Sequence, residues 1–294
     1  MMTFIIRMRR SMLPVAVVTG MVFVNILLQA ETKSFTLKQL DVPNSASTEL
    51  DGINARGEIV GFFVDKSGKQ HGFLDQQGQF TQLDFPGGSQ TRTVGINNQS
   101  EIVGSFTDAS GAQHALIDRN GVFTQFDFPG ATSTLALGIN DAHEIVGSFT
   151  DSSGHTHGFL KRADNFTQLD FPGSTSTTAF SINDRREIVG SFNDAAGVQH
   201  AFARRGEVFT QLNPPGAVTS VAFGVNARGN IVGSFTDAAG AGHGFLDAAG
   251  DFAQLNFSGA ASTDGNGINS DGRIVGDFFD AAGVEHGYVA TQKE

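Results

Sequence analysis

Short runs of β-branched and aromatic residues alternate with Gly, Asn, Asp and Pro along nearly the whole chain. The alternation keeps one step. A Gly-Ile-Asn-like triplet begins at Gly52, Gly95, Gly138, Ser181, Gly224 and Gly267, 43 residues apart each time. Ile-Val-Gly follows each triplet, and a His-led triplet comes next, at His71, His114, His157, His200, His243 and His286. A fixed period of this size marks a repeat architecture, in which one unit cannot bury its apolar faces alone. In the repeat at 134–173 the apolar runs predict strands at 134–140, 144–151, 157–160 and 166–171, each stopped by Asn, Asp, Gly or Pro. No stretch between the glycines keeps a helical apolar period, so helices are excluded.

Four short antiparallel strands every ~40–45 residues make one propeller blade. The predicted fold is all-β: a six-bladed β-propeller of four-stranded antiparallel blades. The first strand of each repeat, with its Gly and small residues, suits the crowded inner end. The fourth alternates Gln168 and Asp170 with Leu169 and Phe171, which suits an outer edge with one wet face. The Ile, Val and Phe of the second strand then pack between blades. The chain enters on an outer-type strand, 35–43, and leaves after a third-type strand starting at His286. The N-terminal strand is therefore expected to complete the last blade and close the ring. An open solenoid would want capping repeats at its ends, and none is seen.

Residues 1–30 stand outside the repeat. Arg7, Arg9 and Arg10 precede a mostly apolar stretch from Ser11 to Leu28, and a polar segment begins at Glu31. This layout predicts a secretory signal peptide at 1–30 and a single propeller domain at 31–294. Leu28 is large for the position three before the cleavage site, so an uncleaved anchor is the alternative. Export to the cell envelope or the extracellular space is expected either way, and no later stretch is apolar enough to span a bilayer. Loss of the leader takes three Arg and no acid, moving the net charge from −11 to −14. That balance argues against nucleic acid or anionic lipid as a partner, because both reward clustered cations. With no cysteine, stability rests on packing and backbone pairing. A monomer is expected.

The triplet His200-Ala-Phe202, with the Gly-Ile-Asn and Ile-Val-Gly elements and the exported context, resembles the HAF-repeat family of extracellular repeat proteins. The resemblance covers roughly residues 35–290. It implies a location outside the cytoplasm and no particular activity. This chain departs from the family pattern by favouring His-Gly-Phe, by lacking Trp, and by its Asp-Phe-Pro-Gly turns.

Repeated polar residues read as structural. Each His follows a turn that opens with Asp65, Asp108, Asp151, Asp194, Asp237 or Asp280, and a His bonded within its own blade would recur in this way. The Asp turns admit calcium, with Asp151-Ser-Ser-Gly the best of them, yet turn formation accounts for Asp and Gly without an ion. The asparagines from Asn54 to Asn269 read as turn formers. No metal and no cofactor is expected.

Function is sought where the repeats disagree. On the inner strand, one set of alternate positions reads Glu49 and Asp51, Arg92 and Val94, Leu135 and Leu137, Thr178 and Phe180, Val221 and Phe223, Asp264 and Asn266. Ring closure would gather Glu49, Asp51, Arg92, Asp264 and Asn266 into one charged sector facing an apolar sector with Phe180 and Phe223. An apolar wall opposite a few polar groups suits a small-molecule site. Cations collect at the opposite turns, as at Lys161-Arg162 and Arg204-Arg205, where a solvated rim or a protein-docking face is read. Catalytic motifs are missing and the loops are short. The expectation is a non-catalytic binding or scaffold module with a small-molecule or protein partner. The alternatives are a hydrolase or lyase acting on a small molecule or glycan at the channel, and a calcium-dependent adhesive protein.

Overall fold

The computed structural model describes residues 34–293, so the signal peptide expected at 1–30 lies outside the described residues. Within them the regular elements are strands, arranged as six four-stranded antiparallel sheets. The third blade shows the plan: β10 (Ser133–Ile139), β11 (Ile145–Thr150), β12 (Thr156–Arg162) and β13 (Asn165–Leu169) lie side by side in chain order. The inner strands β2 (Ser47–Ile53), β6 (Gln90–Ile96), β10, β14 (Ser176–Ile182), β18 (Ala217–Val225) and β22 (Ser262–Ile268) touch in sequence, and β22 touches β2. The ring is closed. This is the six-bladed propeller expected from the repeat.

Closure runs through the N-terminus as expected. The last blade holds β22, β23 (Ile274–Phe279), β24 (Glu285–Gln292) and, in the outer place, β1 (Phe35–Gln39). The pairing runs from Phe35 opposite Gln292 to Gln39 opposite Tyr288. It is extended by Leu40 N–H on Gly287 O and Lys293 N–H on Ser34 O, both at 2.8 Å. The strand ends before 43 because the chain turns at Pro43-Asn44, with Val42 buried in the junction between the last blade and the first. Strand boundaries shift by one or two residues from expectation: β13 stops at Leu169, and β12 runs past Leu160 to Arg162. A two-residue turn with Ala163 at φ 49° lets Arg162 pair with Asn165, so polar Lys161 and Arg162 continue the ladder at the blade's wet end. No helix among the described residues is long and apolar enough to cross a membrane.

The core lies between blades. Val146, Leu160 and Leu169 of the third blade pack with Ala179, Ile182, Ile188, Phe192 and Phe202 of the fourth. The Asp-Phe-Pro-Gly turn has a packing role here. Phe171, leaving the third blade, stacks on Phe192 of the fourth at 3.6 Å and 3°. Phe85 on Phe106 and Phe128 on Phe149 (both 3.7 Å) repeat the contact at the other Asp-Phe-Pro-Gly turns, and Phe257 on Phe278 (3.8 Å) does so from an Asn-Phe-Ser-Gly turn, so these turns fasten one blade to the next.

The repeated asparagines do more than form turns. Asn140 Oδ1 accepts the N–H groups of Ala142 and Glu144, which is the expected turn. Its Nδ2 donates to Asn183 O of the next blade at 3.2 Å. The same bond links Asn54 to Asn97, Asn97 to Asn140, Asn183 to Asn226, Asn226 to Asn269 and Asn269 back to Asn54. This cyclic chain of buried amides ties the six blades at one end of the axis.

Candidate functional site: the axial channel

Each inner strand carries a β-bulge. Its register against the second strand skips one residue between Leu50 and Gly52, and does so again at the same place in every blade. A bulge leaves one residue unpaired and re-aims its side chain. The skipped residues are Asp51, Val94, Leu137, Phe180, Phe223 and Asn266, and all six line a single axial cavity of about 430 Å³. The backbones beside them converge: a Cβ on Gly52 would lie 2.5 Å from Val94 O, which explains the small residue there. Ile53, Ile96, Ile139, Ile182, Val225 and Ile268 line both this cavity and a shallow dimple at the asparagine ring. They form an aliphatic floor between the two.

Six of the seven residues singled out in the sequence meet in this cavity. Phe180 and Phe223 pack edge to face, with centroids 5.0 Å apart, and continue an apolar wall with Leu135 and Leu137. Across from them, Arg92 Nη2 bonds Glu49 Oε1 at 2.5 Å and Asp51 Oδ1 at 3.0 Å. Its guanidinium also lies 4.4 Å from the centre of the Phe62 ring. Asn266 Nδ2 donates to Leu50 O at 3.1 Å and to Asp277 Oδ1 at 2.8 Å. Asp264 is the exception. It is not among the cavity-lining residues; it stands opposite Asp277 in the ladder, and its carbonyl accepts the Tyr288 hydroxyl at 2.8 Å.

Two residues that matter were missed: Asp277 on β23 and Glu285 on β24. The signal existed one strand further out. The column of Asp277 reads Phe62, Ser105, Ser148, Ser191 and Ser234 in the other blades, and that of Glu285 reads Gln70, Gln113, Thr156, Gln199 and Gly242. Only the last blade is acidic in both. Burial, aided by the charge of Asp51, holds the Glu49 carboxyl well above its usual range. Burial and the charge of Asp264 do the same for Asp277. Burial and the charge of Asp51 raise Glu285, and burial raises Asp264. For Arg92, burial works against the charge, but Asp51 and Glu49 outweigh it and the guanidinium stays charged. A carboxyl whose folded pKa is raised stabilises the fold below its unfolded pKa and loses that contribution as pH rises through the raised value. The sector is therefore kept at a cost to neutral-pH stability.

The six repeated histidines behave as expected. His114 Nδ1 bonds Asp127 at 2.9 Å and its Nε2 faces Asp108 at 3.4 Å, all within one blade. Asp108 Oδ1 meanwhile accepts the Ser110 hydroxyl and the N–H groups of Ser110 and Ala112. These bonds hold its carboxyl down at about 2. Both oxygens of this turn are spent on the protein, and the same holds at Asp194 and Asp237.

No family model and no curated protein matches the sequence. Solved structures match the fold. The chain is similar to AofleA from Arthrobotrys oligospora, at 12% identity and a TM-score of 0.52, over 89% of this chain and 92% of that one. It is similar to the fungal lectin of Aleuria aurantia, described as a six-bladed β-propeller with a novel fucose recognition mode. There the identity is 10% and the TM-score 0.51, over 84% of this chain and 95% of that one. TolB from Acinetobacter baumannii gives 10% identity and a TM-score of 0.56, over 80% of this chain and 64% of that one. At these identities the likeness is one of fold.

Proposed function

We propose that this chain is an exported, monomeric, non-catalytic binding module that holds a small amphiphilic ligand in its axial channel. The observation that carries the reading is the division of one wall. Six copies of a single strand present Leu135, Leu137, Phe180 and Phe223 on one side and Glu49, Asp51, Arg92 and Asn266 on the other. Packing alone asks for no such division, since the neighbouring Gly positions stay nearly uniform round the ring. A concave site with an apolar wall, a few convergent polar groups and this volume suits a small molecule. The Aleuria aurantia lectin, alike in fold, recognises fucose, and a sugar has both an apolar face and the hydroxyls this wall would meet. The basic and apolar leader supports export, and the short loops and missing nucleophile motifs support a role without turnover.

Native mass spectrometry of the full chain exported from its own host tests the reading. The parent protein is expected to carry a small-molecule mass that leaves on denaturation. A Phe180→Ser/Phe223→Ser double variant should lose that mass while keeping a cooperative melt. A bare parent, or the same mass on both proteins, contradicts the channel as the binding site.

A further inference from the structure

We propose that a calcium ion is held where the last blade meets the first, by Glu49, Asp51, Asp277 and Glu285. The inference goes beyond the channel reading and does not rest on it. Glu49 comes from β2, Asp277 from β23 and Glu285 from β24, and each brings a carboxylate oxygen within 4.8 Å of the other two. Calcium takes oxygens at about 2.3–2.6 Å, so its ligands stand up to about 5 Å apart across the ion. Magnesium, at about 2.0–2.1 Å in a near-ideal octahedron, fits a tighter set.

Asp51 supplies the independent observation. Its side chain is 6% exposed, Arg92 takes Oδ1, and Oδ2 is buried with no hydrogen-bond partner in the protein. An orphaned buried carboxylate oxygen is costly unless a ligand satisfies it. Arg92 Nη2 bridges Asp51 Oδ1 and Glu49 Oε1, so the Asp51 carboxylate stands beside the cluster. Glu49, Asp51, Asp264, Asp277 and Glu285 thus share one sector with a single guanidinium, Arg92, and a divalent cation answers the imbalance.

The symmetry of the ring supplies an entry path. Ser148 and Thr156 of the third blade occupy the places of Asp277 and Glu285, and both line the channel cavity. On the acidic side, Glu49 and Asp51 line that cavity and open the cluster to it. The repeated turns are not rivals for the ion, because Asp108, Asp194 and Asp237 use both oxygens within the protein.

Calorimetric titration of calcium chloride into the chelator-treated full chain, at constant ionic strength, tests the proposal. One calcium per chain is expected, with magnesium at least ~10-fold weaker. Emission from Tyr288 should change over the same concentrations, since it is the single tyrosine of a chain without tryptophan and bonds Asp264. Glu285→Gln and Asp277→Asn should each weaken binding at least ~10-fold, and Asp65→Asn should leave it unchanged. Both cluster variants remove a charge with little change of shape, and a cooperative thermal melt verifies their fold. No stoichiometric binding by the parent overturns the site, as does parental affinity in folded Glu285→Gln and Asp277→Asn. Loss of binding in Asp65→Asn alone overturns it too, by moving the ion to the turns.

Discussion

A chain that begins at Asn44 is expected to lose its cooperative melt and to self-associate. Removing β1 leaves β24 as an open edge, with unpaired backbone groups from Gly287 to Lys293. It also strips Phe35 and Leu37 from the cluster around Tyr288 and Ala290, and Leu40 and Val42 from the junction with the first blade. Four partly or fully buried apolar side chains contribute about 1–2 kcal/mol each, before the lost ladder is counted. The sum approaches the whole stability of an ordinary domain, about 5–15 kcal/mol. An exposed edge strand then invites pairing with a second chain. Circular dichroism melts and size-exclusion chromatography of the shortened chain check this. A permutant supplies the control. Ser34 and Lys293 already share a backbone bond, so residues 34–43 moved behind Lys293 through a two-residue turn should restore the parent's melt. The relocated strand would repeat the β12–β13 hairpin. A shortened chain that melts like the parent would show that closure does not matter.

Gly190→Ala should be nearly as damaging, although it adds one methyl group. A Cβ at this position would lie 2.0 Å from Thr178 O and 2.7 Å from the Phe202 ring. The cause is the bulge: the step in register between Ala179 and Ser181 pushes the Thr178 carbonyl over Gly190, which pairs with Ala179. The closest obstacle is backbone, so relief requires moving a strand and not rotating a side chain. Overpacking of a core commonly costs about 1–3 kcal/mol, and a clash with the ladder itself belongs at the upper end or above it. Urea unfolding of Gly190→Ala against the parent measures the loss. Ala at Ser191, one residue on, offers the comparison: a small cost there and a large one at Gly190 locate the effect in the bulge.

The 43-residue step was enough for the fold because a propeller blade meets only its neighbours, so one repeat predicts all. The place of β1 followed from counting strand types at the two ends. Less was legible where the physics joins residues of different blades. The asparagine ring looks like six separate turns in the sequence, because each Nδ2 finds its partner 43 residues away. The Ile-Val-Gly glycine is unexplained until the bulge that crowds it is known. Alternation along the inner strand carried Glu49, Asp51, Arg92, Asn266, Phe180 and Phe223 to one cavity. Alternation could not place Asp264, which stands beside Asp277, nor point to Asp277 and Glu285 on the strands behind. Those two appear only when every column of the repeat is compared, not just the innermost.

With the proposed calcium site, the acidic sector between the last and first blades serves binding at the expense of folding. The melting temperature of Asp277→Asn in calcium-free buffer tests it directly. The variant is expected to be more stable than the parent at pH about 7.5, because one of several mutually repelling carboxylates is gone while Asn266 keeps an oxygen to bond. The gap should narrow as pH falls toward the ordinary carboxylate range, because the raised carboxyls of Glu49 and Asp277 bind protons more readily in the folded parent than in its unfolded chain. A variant that melts below the parent at neutral pH would contradict the claim and make Asp277 a strut of the fold.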